Sequence, residues 1–417
     1  FKEFLINILL QKLRLLKLIV QITFVTYFIL KLTLFMNKAL LSLAIGGFGI
    51  GLTEFVIMGI LPDVATAFDI TIPVAGHFIS AYALGVVVGA PTLTGFGSKF
   101  PSNKVLLGLM IWFTVFNTLS AFATGYNSFI ILRFLSGLPH GAFFGIGAVV
   151  AGKLSKPGKE AQGIAIMFSG LTFANLLGVP LGTYLGKNFS WNVSFLLVGL
   201  VGVMAVLGVK FWMPLLKNSS DKSFLEEFKI FKRAELWLIV LLTTIGTGGF
   251  FAWYSYIAPL ITEVAHHTED IVTYAMILAG LGMVIGNFVG AKLAEKFSSL
   301  YAVTIVLILM VICLIINTYA AHHKVMVLVM TFVIGVVSFS ISTPIQLLII
   351  KASKGSETLG SSLNQSAFNI GNASGAYFAG LPIAMGYGYT SADWVGTAMA
   401  GTGILLAGII ILIRKHQ

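Results

Sequence analysis

Long apolar runs separated by short polar segments dominate the chain from residue 36 onward. Each run is about 20 residues long, the length that an α-helix needs to cross the hydrocarbon core of a bilayer. The pattern therefore predicts an all-α integral membrane protein, since only helices and closed barrels can span lipid. Twelve spans are predicted, near 39–61, 74–97, 103–124, 127–152, 161–187, 191–213, 235–262, 271–294, 300–319, 325–350, 358–386 and 392–413.

Positive charges in the loops fall almost entirely on one side of these spans. Eighteen Lys and Arg residues lie on the side where the first span begins, against only Lys187 and Lys324 on the other. Because basic loops stay in the cytoplasm, both ends of the spanned region are predicted to be cytoplasmic. Topology thus accounts for the net charge of +11, and we expect no nucleic-acid partner. The one cysteine, Cys313, excludes an intramolecular disulfide.

Residues 1–35 do not fit the pattern of spans. They carry five basic residues, and their apolar run 18–30 is short. Met36 followed by Asn37 and Lys38 looks like a natural start, so we interpret 1–35 as a non-native or unstructured upstream extension. A signal peptide is an alternative, although no small-residue cleavage site follows the apolar run. A thirteenth span is disfavoured, because it would place its own basic N-terminus outside.

The chain repeats itself at a spacing of 197 residues, as 282 minus 85 shows for the first matched glycines. Such a repeat indicates two pseudo-symmetric halves with the working site between them. We therefore divide the chain into an N-terminal six-helix half (36–213), a linker (214–234) and a C-terminal six-helix half (235–417). The matched pairs include Gly85 and Gly282, Gly89 and Gly286, Asn175 and Asn372, and Gly178 and Gly375.

The linker carries aromatic residues at helical spacing. Phe224, Phe228 and Phe231 fall at i, i+4 and i+7, with charged residues between them. This pattern is typical of an amphipathic helix that lies on the cytoplasmic membrane surface and tethers two halves. Binding of a partner protein is the alternative interpretation of the same apolar stripe.

Few ionisable residues remain at membrane depth, and those that do are costly and usually functional. Glu54 and Arg133 both lie about 10–12 Å below the outer surface if each residue rises ~1.5 Å, so they can pair across a cavity. A carboxyl group in that position can load and release a proton as the cavity changes sides. A static ion pair is the alternative. His140, two turns beyond Arg133, either relays the proton or bonds a carbonyl freed by Pro139.

The second half replaces these charges with aromatic and amide side chains. At the repeat spacing Glu54 corresponds to Phe251 and Arg133 to Met330. We therefore expect the first half to handle protons and the second to form much of the substrate surface, with ordinary packing and interhelical amide bonds as alternatives. The expected substrate cavity comprises Phe55, Tyr82, Phe143, Phe250, Trp253, Tyr254, Tyr256, Gln365, Asn369 and Asn372.

Several motifs resemble the major facilitator superfamily, specifically its twelve-span drug:proton antiporter branch and AraJ-like exporters. The resemblance covers residue 36 to the C-terminus and is carried by segments such as GLTEFVIMGILPDVA (51–65), LRFLSGLPHGAFFGIGA (132–148) and GLTFANLLGVPLGTYLG (170–186). It implies the major facilitator fold, with Arg133 in the place of the arginine tied to proton coupling. The fifth-helix antiporter motif, which also allows close helix packing, is carried by Gly170, Asn175, Gly178, Pro180 and Gly182.

One cytoplasmic loop departs from the family pattern. In GFGSKFPSNK, Ser98 occupies the position where the family expects an acidic residue, whereas the second-half copy GAKLAEKF keeps Glu295. The charged contact that usually closes the cytoplasmic gate in this family is thus in doubt for the first half. The gate loops are predicted to use Lys99, Lys104, Glu295 and Lys296.

Taken with Glu54, the resemblance implies a secondary transporter of the bacterial inner membrane that exports a small organic molecule in exchange for protons. Sugar efflux or a carrier without obligatory proton coupling is the alternative, and a membrane solute sensor is a remote one. No phosphate-cradling loop of a primary pump is present, and an enzyme is not expected. The His266-His267 and His322-His323 doublets lack further ligands at zinc spacing. We expect no cofactor or metal, and function as a monomer in the lipid bilayer with substrate and protons as partners.

Overall fold

A computed structural model describes residues 37–216, 226 and 228–415 of the chain. The interpretation of residues 1–35 lies outside the described residues, as do Phe224 and most of the linker. Within the described ranges almost every residue is helical, and no β-strand occurs. The prediction of an all-α protein is therefore confirmed.

Each predicted span overlaps one long helix. The helices are α1 (Lys38–Gly59), α2 (His77–Gly97), α3 (Ser102–Ser120), α4 (Tyr126–Leu154), α5 (Glu160–Asn188), α6 (Trp191–Trp212), α7 (Ala234–Tyr254), α8 (Glu269–Lys296), α9 (Ser299–Ala320), α10 (Lys324–Ala352), α11 (Glu357–Ala384) and α12 (Ser391–Lys415). By length and composition, ten of them are apolar enough to cross a membrane. The other two are α3, which has polar ends, and α11, which is rich in Ser, Asn and Gln.

The helices pack in the same pattern in the two parts of the chain. In the first part α1 packs on α5 and α6, α2 on α4, and α3 on α6. In the second part α7 packs on α11 and α12, α8 on α10, and α9 on α12, which is the same arrangement six helices later. The largest apolar cores follow this division, one formed mainly by α1–α6 and the other by α7–α12.

The glycines that first revealed the repeat have a common packing role. A Cβ atom on Gly85 or Gly89 would overlap backbone atoms of α4, and one on Gly282 or Gly286 would overlap backbone atoms of α10. Small residues allow helix backbones to approach closely in a membrane protein. The repeated glycines therefore mark the same close helix contact in both parts of the chain, α2 on α4 and α8 on α10.

The two groups of helices meet mainly toward one end of the bundle, which we call the basic end. It holds the start of α1, the end of α12 and the loops with Lys99, Lys153 and Lys351. The contacts run between α2 and α11, α4 and α11, and α5 and α8. The other end of the bundle is called the opposite end below.

The described part of the linker is short and packed. Phe228–Lys232 forms a 3-10 turn, and the rings of Phe228 and Phe231 lie 5.2 Å apart against the core of the second part. Trp237 Nε1 donates to Phe231 O at 2.7 Å. The guanidinium of Arg233 donates to the carbonyls of Ala352 and Lys354 at the end of α10. Residues 228–232 of the linker thus form a short 3-10 turn that packs on the second part of the chain.

Candidate functional site

A cavity of about 760 Å³, partly open to solvent, lies between the two groups of helices. Side chains from α1, α4 and α5 line it on one side, and side chains from α7, α9, α10 and α11 on the other. Apolar and aromatic residues dominate the wall, with a few polar groups among them, as is usual for sites that bind small molecules. Seven predicted site residues line it, namely Glu54, Phe55, His140, Phe250, Gln365, Asn369 and Asn372.

The other five predicted cavity residues do not form this wall. Phe143 is fully buried against Gly46 of α1, and Trp253 is only 1% exposed. Tyr254 stacks on Phe250 with ring centroids 5.0 Å apart. Phe143, Trp253 and Tyr254 therefore pack behind the residues that line the cavity. The Tyr256 hydroxyl donates to Ala376 O at 3.1 Å, and Tyr82 lies between two first-part residues described below.

Some wall residues were missed in the sequence. Met310 of α9 and Ser338, Phe339 and Ser342 of α10 line the cavity, where α10 is interrupted near Ser340. Phe251 lines it too, and the repeat spacing pairs this residue with Glu54. That pairing was the one signal in the sequence that could have placed Phe251 there.

Arg133 is fully buried and holds α1 through a single residue. Its Nη1 donates to Thr53 Oγ1 at 3.0 Å and its Nη2 to Thr53 O at 3.3 Å. Thr53 Oγ1 in turn donates to Asn117 Oδ1 of α3 at 2.5 Å. The direct Glu54–Arg133 ion pair expected from equal depth does not form among the described residues. Adjacent residues on a helix point about 100° apart, so the side chain of Glu54 leaves α1 in another direction.

An aromatic bridge connects Arg133 with the cavity. The guanidinium carbon of Arg133 lies 4.4 Å from the ring centroid of Tyr82, a cation–π contact. The Tyr82 hydroxyl is 3.1 Å from Nδ1 of His140. His140 thus bonds a side chain of α2 and not a carbonyl freed by Pro139. The arrangement runs from a buried cation to an imidazole on the cavity wall.

Glu54 stands apart from this arrangement. Its side chain is half-buried and faces the cavity, and among the described residues it makes no hydrogen bond or ion pair. It is therefore a carboxyl group that shares the cavity with His140 while the nearest guanidinium is bound to the preceding residue. Such a group is free to change its protonation state without breaking a contact.

The antiporter-motif residues pack α5 onto α1, the helix that carries Glu54. Cβ atoms added to Gly170, Gly178 or Gly182 would meet atoms of α1 between Ala44 and Val56. Ala174–Gly178 forms a π-helical turn inside α5, and Asn175 Nδ2 donates to Leu171 O at 3.1 Å. Pro180 follows in the first turn of the regular helix after it. The motif is therefore a close helix contact with a locally widened turn, a feature frequent at functional sites.

Toward the basic end, several hydrogen bonds join the two groups of helices, among them a charged set and a hydroxyl set. The first set, the charged contact, consists of Lys159, Gln162 and Glu295. Glu295 Oε2 accepts from Lys159 Nζ at 2.8 Å and from Gln162 Nε2 at 3.2 Å. Sequence analysis found Glu295 but not its partners, whereas Lys99 and Lys104 are exposed and Lys296 Nζ lies 5.5 Å from the Phe297 ring centroid.

The second set, the hydroxyl contact, consists of Thr94, Ser361 and Ser362. The hydroxyls of Thr94 and Ser362 are 2.6 Å apart, and Ser361 Oγ donates to Gly145 O of α4 at 2.8 Å. All three side chains are buried. Hydroxyls at close helix contacts stabilise helix association in membrane proteins by roughly 0.6 kcal/mol each.

A buried amide links the hydroxyl contact with the cavity. Gln346 Oε1 accepts from Asn364 Nδ2 at 2.7 Å and from Gln365 Nε2 at 3.0 Å. Gln346 Nε2 donates to both the carbonyl oxygen and the hydroxyl oxygen of Ser361. Gln365 lines the cavity, so the fully buried side chain of Gln346 contacts both a residue of the cavity wall and the residue that bonds α4.

Comparison with known proteins gives consistent matches. The family model of the Major Facilitator Superfamily matches residues 43–376. AraJ of Escherichia coli strain K12, provisionally named a transporter, is 40% identical over 354 residues, which are 85% of this chain and 90% of AraJ. The inner membrane transport protein YdhP of the same strain is 39% identical over 91% of this chain and 97% of YdhP.

Solved structures match the fold at low sequence identity. The fucose:proton symporter FucP of E. coli superposes with a TM-score of 0.73 at 15% identity, covering 90% of this chain and 99% of FucP. A structure of FucP in the outward conformation gives 0.74. The human organic anion transporter MFSD10 gives 0.70 at 12% identity, covering 89% and 99% of the two chains.

Proposed function

The chain belongs to the Major Facilitator Superfamily, whose members are transporters and not enzymes, and on that premise we propose that it exports a small organic molecule in exchange for protons. The observation that carries the proposal is Glu54, a cavity carboxyl group without a hydrogen bond or ion pair among the described residues. A carboxyl group at membrane depth that no other group neutralises is suited to bind and release a proton. His140, bonded to Tyr82 and through it near Arg133, is proposed to assist in that transfer.

We propose that all twelve helices cross the membrane, with the basic end in the cytoplasm of a bacterial cell. The inner-membrane name of the relative YdhP and the surplus of basic loops support this orientation. The charged and hydroxyl contacts then close the cytoplasmic side, so the structure corresponds to the outward-facing state. Transport requires these contacts to open while the opposite end closes around the substrate.

The substrate is proposed to carry both an apolar face and hydrogen-bonding groups. Phe55, Phe250 and Phe251 offer the first kind of surface, and Gln365, Asn369 and Asn372 the second. Carriage of a sugar without obligatory proton coupling is the second candidate function, which the stripe of three amides favours. The fucose symporter FucP shares the fold but only 15% of the sequence, so it supports the fold alone.

The decisive experiment replaces Glu54 in purified protein reconstituted into liposomes with an acidic lumen. The probes are ethidium and L-arabinose, supplied outside the liposomes. Transporters inserted with their cytoplasmic side outward should accumulate the transported probe in the lumen as protons leave. Glu54→Gln should abolish this accumulation and leave exchange of labelled for unlabelled probe measurable, because only the proton step needs an acid. Glu263→Gln, an exposed glutamate at the opposite end, is the matched control.

Two results would change the assignment. Gradient-driven accumulation by Glu54→Gln at the rate of the control would reject Glu54 as the coupling group. Arabinose exchange that ignores the pH gradient in the unmodified protein would favour the second candidate function.

A further inference from the structure

We propose that the second half binds a monovalent cation, a proton or a sodium ion, at Asp393, in a site between α9 and α12 that is separate from the central cavity. Asp393 is in the first turn of α12, at the opposite end, and it is fully buried. It is not among the residues that line the cavity. This inference does not depend on the role proposed for Glu54.

The carboxyl group of Asp393 has too few hydrogen bonds for a buried charge. Its Oδ2 accepts from Asn317 Nδ2 at 3.0 Å, and its Oδ1 is buried without a partner. The Thr318 hydroxyl lies within reach of the carboxyl group, although its geometry favours Leu314 O as the acceptor. Neutral hydrogen bonds of this kind do not offset the cost of burying a carboxylate.

Two further oxygen atoms around Asp393 also lack a donor. Asn317 Oδ1 belongs to the same amide that bonds the carboxyl group, and it is buried without a partner. Thr397 Oγ1, one helical turn after Asp393 on the same face of α12, is in the same condition. Three uncompensated oxygen atoms therefore belong to adjacent side chains, whereas buried polar atoms in folded proteins are normally paired.

No basic side chain neutralises the carboxyl group within the described part of the chain. The ion pairs found there are Lys159–Glu295 and Arg414–Glu235. Helix α12 packs on α7, α9 and α11, and the side chains Ala252, Ala379 and Ala392 form an apolar cluster there. Besides Asp393, the titratable and charged groups of these four helices are Glu235, Tyr254, Tyr301, Cys313, Tyr319, Glu357, Tyr377, Arg414 and Lys415.

None of those groups supplies a cation near Asp393. Glu235 and Glu357 begin their helices at the basic end, and Arg414 and Lys415 end α12 there, about 20 residues along the helix from Asp393. His322, His323 and Lys324 follow α9 at the opposite end, but all three are exposed. Apart from the N-terminus of α12 itself, a compensating positive charge would therefore have to come from solution.

A monovalent cation accounts for the unpaired oxygens. A proton on Asp393 Oδ1 would donate to Asn317 Oδ1 and so satisfy both atoms with one hydrogen. A sodium ion would instead take the carboxylate, amide and hydroxyl oxygens as ligands, the type of donor that hard cations prefer. A divalent ion would leave a net charge buried, since the site holds one carboxylate. In both cases the bound cation fastens α12 to α9.

The site is a property of the second half alone. At the repeat spacing, Asp393 corresponds to Leu196 and Asn317 to Ser120, whose hydroxyl donates to Phe116 O in its own helix. Asn317 lies two turns along α9 from Met310, a wall residue of the cavity, which is a distance of about 10 Å. The site is thus close enough to the cavity for its occupancy to affect α9 there.

The test measures the thermal unfolding midpoint of the purified full chain in detergent, without substrate. Two series are run: pH 5 to 9 in choline chloride, and sodium replacing choline at constant ionic strength and high pH. A proton site predicts a midpoint that falls as the pH rises, because the acid form is the stabilised one. A sodium site predicts a midpoint that rises with sodium.

Asp393→Asn removes the charge and keeps the shape, so it should lose the sodium dependence and the part of the pH dependence that Asp393 contributes. Asp270→Asn, an exposed acid at the same end, should retain the behaviour of the unmodified protein. Thr397→Val should weaken only the sodium response and so distinguishes the two ions. If the unmodified protein and Asp393→Asn share the same response to pH and to sodium, the proposal is overturned.

An infrared measurement covers the case in which Asp393→Asn does not fold. In the Glu54→Gln variant, Asp393 is the buried carboxyl group that remains deep in the helices described. A carboxylic-acid band at neutral pH without sodium, or a carboxylate band that shifts on addition of sodium, supports the site. The absence of both changes overturns it, whatever the outcome of the transport assays.

Discussion

The charged contact and the hydroxyl contact join the same two groups of helices with different chemistry. At the repeat spacing, the α5–α8 crossing that holds Lys159 and Glu295 corresponds to the α11–α2 crossing that holds Ser362 and Thr94. Glu295 corresponds to Ser98, whose hydroxyl donates to Gly95 O inside its own helix. Thr94 corresponds in turn to Ala291. The duplicated crossing has thus kept its geometry while its polar groups have diverged.

This difference indicates that the charged contact and the hydroxyl contact have different roles. The Lys159 side chain is 50% exposed, so its ion pair is screened by salt and contributes little, in the range of 0–1 kcal/mol for surface pairs. The hydroxyl contact is buried and joined to the cavity through Gln346. We therefore expect the charged contact to adjust the stability of the closed basic end, and the hydroxyl contact to respond to a molecule bound in the cavity.

The largest effect is expected from Gln346→Met, which would break the link between the cavity and the hydroxyl contact. It leaves several buried partners unsatisfied, at about 1–3 kcal/mol for each group, so the open cytoplasmic side should become at least about tenfold more populated. Distances between spin labels on Lys104→Cys and Lys351→Cys, in a Cys313→Ser background, would measure this population. Asn188→Met, at an exposed position, is the control. An unchanged distance distribution would remove Gln346 from the mechanism.

A smaller effect is expected from Ser98→Glu, which would give the first half the carboxylate that its repeat partner has. Ser98 is 2% exposed and no basic side chain bonds it, so the new charge would be buried without a partner. The unfolding midpoint should therefore fall, by an amount equivalent to roughly 1–3 kcal/mol. Lys99→Glu places the same charge on the exposed neighbouring residue and should be nearly neutral. An increase in stability would mean that the two crossings are more alike than their contacts indicate.

Lys159→Gln should change the open population, measured by the same spin-label distances, by a factor of about five or less, in line with about 1 kcal/mol for an exposed ion pair. The difference from the unmodified protein should vanish in high salt, because exposed pairs are screened. Exchanging the two residues, as Lys159→Glu with Glu295→Lys, should restore the distribution. Salt sensitivity that survives Lys159→Gln would show that other charges control this crossing.

Thr94→Val should have the smallest effect. Ser362 Oγ already donates to Thr358 O at 2.9 Å, so loss of the Thr94 hydroxyl leaves no buried donor without an acceptor. One neutral hydrogen bond of about 0.6 kcal/mol corresponds to less than a threefold change in the open population. A larger change in the spin-label distances would assign Thr94 a role beyond this bond.

The sequence predicted the helices more accurately than it predicted which side chains contact one another. Apolar length placed all twelve helices, because burial in lipid imposes a length that the sequence displays directly. The equal level of Glu54 and Arg133 along the bundle agrees with the bond from Arg133 to Thr53, but an equal level does not give the direction of a side chain. The guanidinium therefore bonds Thr53, one residue from the expected partner. Lys159 was missed for a related reason, since contacts between distant helices leave no periodic pattern in the chain.

The aromatic residues of α7 show the same limit. Four aromatic residues in or just after this helix were expected at the cavity, but the structure puts Phe250 on the wall and Trp253 behind it. Helix rotation decides between these positions, and an apolar helix that is buried on most faces carries little information about its rotation.

Arg133 has one further consequence for how the first half moves. Its guanidinium fixes α4 to the backbone and hydroxyl of Thr53, so the connection between these helices does not involve the carboxyl group of Glu54. Gaining or losing a proton at Glu54 thus leaves every hydrogen bond of that connection intact. In the proposed cycle the contact between α1 and α4 therefore stays intact, and protonation of Glu54 acts at the cavity surface that faces the second group of helices.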